Sequence, residues 1–154
     1  MMLDVGDTIP AVAMKDADGV VFTLERYRGN PVVVYFYPKA DTPGCTNEAK
    51  DFTALAGDFA AAGVAVVGIS RDKPAKLAKF ADKYGLAVTL ASDEDGAMCE
   101  ASGTWIEKSM YGRAYMGIAR ATFLVGGDGT ILRAWPQVKV KGHAAEVLEA
   151  VKAL

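Results

Sequence analysis

The sequence predicts an α/β fold built as a single domain over residues 1–154, and three observations lead to that prediction. Val32-Val33-Val34-Tyr35-Phe36-Tyr37 is an unbroken β-branched and aromatic run, the pattern of a strand buried on both faces of a parallel sheet. Two stretches of helical periodicity are closed by Gly63 and Gly85, and each is followed by a further apolar strand. Near the end, two apolar runs flank Gly126-Gly127-Asp128-Gly129, the composition of a hairpin turn.

The elements follow in order. Residues 11–14 and 20–24 flank Asp16-Ala17-Asp18-Gly19, which predicts an N-terminal hairpin. Pro31 introduces the 32–37 strand and Pro38 ends it. After Cys45 a helix is predicted to about Ala62, with Phe52, Leu55, Ala56 and Phe59 on one face. Residues 64–70 read as a second buried strand. Pro74 opens a helix through Tyr84 that buries Leu77, Phe80 and Ala81. A strand over 86–91 and a short helix over 93–102 come next. Residues 103–119 carry no periodicity that assigns them, and a stretch of that length is often functional. Strands at 121–125 and 130–135 form the terminal hairpin. The last helix starts near His143 and buries Val147, Leu148, Val151 and Leu154. This order is that of a thioredoxin-like domain, a central mixed sheet flanked by helices, with an N-terminal β-hairpin.

Composition excludes several functions. With 51% apolar and 23% charged residues and a net charge of −2, the chain reads as an ordinary globular protein. Its Lys and Arg are scattered, whereas nucleic-acid and anionic-membrane surfaces need a concentrated basic footprint. The N-terminus has neither the basic nor the apolar segment of a secretory signal, and no apolar run reaches the roughly 18 residues of a spanning helix. A cytoplasmic protein is expected. Cys45 and Cys99 are too few for a disulfide framework, and with one histidine, His143, they give no zinc spacing. No metal and no cofactor are expected. His143 itself is expected to be exposed or to cap the final helix.

Cys45 follows the first buried strand directly and enters a helix. Thr42 suits the N-cap and Pro43 the first helical position, so Cys45 falls in the first turn, where free N–H groups favour an anion. Bringing a cysteine thiol from about 8.5 to about 6 requires roughly 3.4 kcal/mol. A helix end supplies at most about 2 kcal/mol. A second cation must therefore come from elsewhere in the chain. Thr42 stands where a dithiol oxidoreductase needs a cysteine, and no histidine lies nearby in sequence. A lone activated thiolate among N–H and hydroxyl donors suits attack on a weak O–O bond.

The segment Tyr35-Phe36-Tyr37-Pro38-Lys39-Ala40-Asp41-Thr42-Pro43-Gly44-Cys45-Thr46-x-Glu48 resembles the active-site segment of the peroxiredoxins, in the bacterioferritin comigratory protein (Q-type) branch. Pro38, Thr42 and Cys45 meet the family's Pro-x-x-x-Thr-x-x-Cys pattern. Gly6-Asp7 with Pro10, Val67-Gly68-Ile69-Ser70, Ser92-Asp93-Glu94-Asp95 and Gly117-Ile118-x-Arg120-x-Thr122-Phe123-Leu124 extend the likeness along nearly the whole chain. The resemblance implies a thiol-dependent peroxidase acting on hydrogen peroxide and organic hydroperoxides through a Cys45 sulfenic acid. It implies that Thr42 donates to peroxide and thiolate, that Pro38 shields the site, that Arg120 is the missing cation and that Glu48 orients it.

The chain departs from the family at the resolving thiol. Lys50 stands where many members carry a second cysteine, and the 74–84 helix carries none. Lys50 is expected on a solvated helix face, with a contribution to the field at Cys45 as the alternative. Cys99 is the remaining resolving candidate, and a packed structural thiol is the stronger expectation for it. A one-cysteine cycle follows, with thioredoxin, glutaredoxin or a low-molecular-weight thiol as reductant. A redox sensor or chaperone without efficient turnover, and a binding module that merely keeps the fold, are the competing readings. Trp105, Met110, Tyr111, Tyr115 and Met116 are expected in the core, with a wall of the peroxide pocket as their other use. A monomer is expected, because no element reads as an exposed apolar stripe.

Overall fold

The computed structural model describes residues 1–154 and bears out the α/β prediction, with a seven-stranded mixed sheet between two layers. β1 (Met14–Asp16) and β2 (Val21–Phe22) form the N-terminal hairpin across the Asp16–Gly19 turn, where the Asp16 carboxylate accepts the N–H groups of Asp18 and Val20. β3 (Val32–Phe36), β4 (Ala65–Ser70) and β5 (Thr89–Ser92) are parallel neighbours. A separate hairpin of β6 (Trp105–Met110) and β7 (Arg113–Ile118) precedes β8 (Ala121–Val125), antiparallel beside β3, and β9 (Ile131–Trp135), antiparallel beside β8. The sheet order is β2-β1-β5-β4-β3-β8-β9, which puts β3 beside β4 and β8 in the interior.

Alternation along β3 divides the core in two. Val33, Tyr35 and the adjoining Tyr37 face one layer, packing with Cys45, Phe52, Leu77, Phe80 and Val147. Val32, Val34 and Phe36 face the other, packing with Ile69, Met98, Cys99, Ile118 and Phe123. The continuous apolar run thus serves both faces, as a central strand requires. Gly68 on β4 is needed for this packing: a Cβ there would lie 2.6 Å from the Tyr35 ring, which lies directly over it.

The helices follow the predicted signals with local corrections. α1 (Pro43–Ala54) begins on Pro43, but the single helix expected to Ala62 breaks at Leu55 (φ −100°, ψ 4°) and resumes as α2 (Ala56–Ala61). The Leu55 N–H bonds Phe52 O in a tightened turn, and Gly57 just beyond weakens helical preference. α3 (Pro74–Tyr84) ends at Gly85 in the left-handed conformation, φ 60°. α4 spans only Ala97–Ala101, because Asp93 is used as its cap: the carboxylate accepts the N–H groups of Met98 and Cys99 at 2.9 and 2.8 Å. α5 (His143–Lys152) closes the chain.

Three expectations are corrected. His143 is neither exposed nor a capping side chain; it is buried, bonded to Thr122 Oγ1 at 2.8 Å and set edge-on to Phe52 and Trp135. Residues 103–119, left unassigned by periodicity, hold the β6–β7 hairpin. Its turn uses Tyr111 and Gly112, both at positive φ (51° and 76°), a two-residue hairpin turn without the usual Asn-Gly signal. Finally, Met110, Tyr111, Tyr115 and Met116 are exposed rather than core, so the chain does carry an exposed apolar surface, contrary to the premise of the monomer expectation.

Candidate active site around Cys45

The site forms where the C-terminal end of β3 meets the N-terminal end of β8. Because these strands are antiparallel with Phe36 opposite Ala121, Arg120 is delivered beside the loop that follows β3. That loop is firmly held. Ala40 N–H donates to Asp72 Oδ2 at 2.8 Å, while Tyr84 OH and Lys83 Nζ of α3 both donate to the Asp41 carboxylate. Asp41 sits at φ 61°, a left-handed position that a non-glycine residue keeps only when its surroundings hold it there.

Thr42 takes the N-cap backbone conformation, and Thr46 N–H bonds its carbonyl at 2.8 Å. Its hydroxyl does not cap the helix as expected. With the chain turned back at Asp41, it donates to Lys39 O at 2.8 Å. That bond commits the hydroxyl proton and leaves its oxygen as an acceptor. Pro43 has no N–H, so the free donors of the first turn are those of Gly44 and Cys45. Pro38, half-buried at the end of β3, joins Trp105, Lys108, Tyr115 and Met116 in the wall of an open groove of about 400 Å³.

Cys45 is 1% exposed, under the start of α1. Arg120 Nη2 donates to its sulfur at 3.3 Å, and Nη1 donates to Glu48 Oε1 at 2.7 Å. Glu48 lies one turn after Cys45 on the same face of α1, so one guanidinium reaches both. The planar fork of arginine suits this double contact as a lysine could not. Gly44 keeps the approach clear, since a Cβ there would stand 3.3 Å from Arg120 Nη2. Burial pushes the Glu48 carboxyl up to about 7, against the opposing pull of Arg120. Its second oxygen has no hydrogen-bond partner in the protein, nor do the hydroxyls of Tyr35 and Tyr37. Burial depresses the Arg120 guanidinium, but Cys45 and Glu48 outweigh it and hold the group further toward its charged form.

The structure therefore brings together Cys45, Arg120 and Glu48 in direct contact, with Thr42 and Pro38 on the adjoining loop. It does not bring Cys99 to them. Cys99 is fully buried in the core on the opposite face of the sheet from Cys45. Burial and the neighbouring Asp93 carboxylate push its thiol far above the ordinary range. Lys50 is exposed and reaches toward the Tyr84 ring, at 6.0 Å, so it is the solvated helix residue expected of it. The cation that sequence reasoning missed is Lys108, half-buried on β6 and near enough to Arg120 and Cys45 to feel both. Its signal lay inside the unassigned stretch. No group of His, Cys, Asp and Glu side chains is arranged to hold a metal ion.

Residues 5–134 match the AhpC/TSA family. The chain is 45% identical over 150 residues to the peroxiredoxin Bcp of Escherichia coli K12, covering 97% of this chain and 96% of that one. Among solved structures, the bacterioferritin comigratory protein of Xanthomonas campestris, described with its alkyl peroxide reduction activity, superposes with a TM-score of 0.90 at 42% identity, covering 98% of each chain. A PrxQ variant of Xylella fastidiosa superposes with a TM-score of 0.94 at 38% identity, covering 99% of this chain and 98% of that one.

Proposed function

The chain belongs to the AhpC/TSA family, among its Bcp and peroxiredoxin Q members, and on that footing we propose that Cys45 reduces hydrogen peroxide and organic hydroperoxides in a one-cysteine cycle. The observation that carries this reading is the Arg120 guanidinium, 3.3 Å from the Cys45 sulfur and anchored on its other arm by Glu48. It is the second cation that the helix end alone could not replace.

The Cys45 thiolate attacks the terminal oxygen of the hydroperoxide. An S–O bond forms, the O–O bond breaks, and the electron pair leaves on the departing oxygen. Arg120 and the free N–H groups of Gly44 and Cys45 are placed to stabilise the charge that shifts onto oxygen. Thr42, its own proton committed to Lys39 O, accepts the O–H of the incoming peroxide and fixes its direction. Pro38 restricts water at the groove wall. The sulfenic acid is then attacked by an external thiol, giving water and a mixed disulfide, and a second thiol releases Cys45. Thioredoxin, glutaredoxin or a low-molecular-weight thiol fills that role, in the cytoplasm. Cys45 is so deeply covered that the first turn of α1 must open before a reductant's sulfur can reach it.

Cys99 takes no part in this cycle: it lies across the sheet, and as a protonated thiol it is a poor nucleophile. The test combines non-reducing mass spectrometry of peroxide-treated protein with steady-state peroxide consumption. A Cys45 sulfenic acid, then sulfinic acid at excess peroxide, is expected, together with full turnover by Cys99→Ala. An intramolecular Cys45–Cys99 disulfide would overturn the one-cysteine cycle. A single stoichiometric burst with every thiol donor would favour a redox sensor over an enzyme.

A further inference from the structure

We propose that the groove walled by Pro38 is an anion site, which holds the carboxylates of a low-molecular-weight thiol while that thiol restores Cys45. The proposal rests on the one-cysteine peroxidase reading above and names the class of its reductant, a small thiol that carries carboxylates. The groove opens where Lys39 and Arg71 follow the parallel strands β3 and β4, and open α/β sheets bind ligands at such carboxyl ends. It gathers Lys39, Arg71 and Lys108 around a single carboxylate, Asp72, in a chain whose net charge is −2. None of these cations belongs to an ion pair of the chain. Asp72 is not free to neutralise them, since its carboxylate accepts from Ala40 N–H and Ser70 Oγ and pairs with Lys76.

Arg71 is the anchor. Its guanidinium lies 4.4 Å over the Trp105 ring, and against Gly96, where a Cβ would come within 2.8 Å of Arg71 Cζ. Stacking fixes the plane of a guanidinium and leaves the N–H donors at its edge for a planar anion, two of them for one carboxylate. A volume of about 400 Å³ suits a small molecule, whereas a protein partner needs about 800 Å² of surface on each side. Two hydrogen bonds join the groove to the catalytic loop: Lys39 O holds the Thr42 hydroxyl, and Asp72 holds Ala40 N–H, each at 2.8 Å. On the other wall, Ile118 stands two residues before Arg120, whose Nη2 touches the Cys45 sulfur, so at most about 7 Å of chain separates them. A thiol anchored by its carboxylates is thus kept at hand until the first turn of α1 opens. Its thiolate then attacks the sulfur of the Cys45 sulfenic acid. The S–S bond forms, the S–O bond breaks, and the departing hydroxide takes up the proton that the thiol gave up, leaving as water. A second molecule of the thiol attacks the outer sulfur of the mixed disulfide, which returns the Cys45 thiolate and releases the small disulfide.

The test compares two reductants, glutathione, which carries carboxylates, and dithiothreitol, which carries none, in steady-state peroxide consumption by wild type and Arg71→Gln. The variant's KM for glutathione should rise by about 10-fold or more, the loss of a charge-assisted contact, while its rate with dithiothreitol stays within about twofold. Added salt should raise the wild-type KM for glutathione and leave the dithiothreitol rate alone. S-Methylglutathione, which cannot reduce Cys45, reads binding without turnover: it should shift the NMR signal of the Trp105 indole N–H in wild type and not in Arg71→Gln. Equal losses with both reductants, an unchanged KM for glutathione, or no shift at Trp105 would each overturn the assignment. So would turnover that thioredoxin supports and glutathione does not, which would leave the restoration of Cys45 to a protein. A wild-type protein that consumes peroxide with none of these donors would instead sink the peroxidase reading itself.

Discussion

Replacing Glu48 by glutamine exchanges one oxygen for an amide nitrogen and removes a single negative charge from the core. The amide oxygen still accepts from Arg120 Nη1, so the side-chain geometry is retained and the charge is isolated as the variable. In the folded protein Glu48 holds its proton to about pH 7, against 4.5 for an unburied glutamate. Below pH 4.5 both states are protonated. Between 4.5 and about 7 the folded state binds more protons than the unfolded one, so stability falls as pH rises, at up to about 1.4 kcal/mol per pH unit. The whole interval corresponds to about 3 kcal/mol, present at pH 4 and lost above about 7.5. Urea unfolding of wild type and Glu48→Gln at intervals from pH 4 to 8 reads this directly. The difference between the two proteins should move by about 3 kcal/mol in favour of the variant as pH rises. Contributions from His143 and the surface carboxylates cancel in that difference. Stability curves that stay parallel across the range would show that Glu48 is ionised throughout, with Arg120 outweighing its burial, and would refute the reasoning.

Arg120→Met removes both contacts at once. Cys45 oxidation should slow by at least about 10²-fold, and stability above pH 7.5 should fall by about 3–5 kcal/mol because the Glu48 charge is left unpaired. Adding Glu48→Gln should recover the stability but not the rate, measured by urea unfolding and stopped-flow peroxide reaction. Thr42→Val deletes the bond to Lys39 O and the acceptor for the peroxide O–H. A loss of about 10-fold or more in peroxide reaction rate is expected, while Thr42→Ser stays within a few-fold of wild type.

Much of this arrangement was legible in the sequence because local rules and tertiary structure agree there. The Val32–Tyr37 run could only be an interior strand, and Pro43 after Thr42 could only start a helix, which placed Cys45 in its first turn. Arg120 was legible through the family resemblance, and the structure supplies its physical ground: it immediately precedes a strand that pairs with the one before Cys45. The failures lie where tertiary contacts choose among options that local chemistry leaves open. The Thr42 hydroxyl was expected to cap α1 and to donate to peroxide and thiolate, and after the left-handed turn at Asp41 it instead donates to the Lys39 carbonyl. His143 looked like a surface residue until Thr122, Phe52 and Trp135 closed around it. The β6–β7 hairpin was hidden because its apolar residues face outward, so no alternation of buried and exposed positions betrays it. Lys108 was hidden with it.

The central sheet, by keeping Cys99 in a separate core from Cys45, gives the molecule a built-in reference sulfur. A reagent that modifies Cys45 reports events at the start of α1, where a single helical turn has to lift. One that modifies Cys99 must pass through the layer that contains Met98, Phe36 and Phe123, so its rate counts much larger openings of the domain. Following both sulfurs in the same sample separates oxidative turnover from structural breathing, with no label added to the chain.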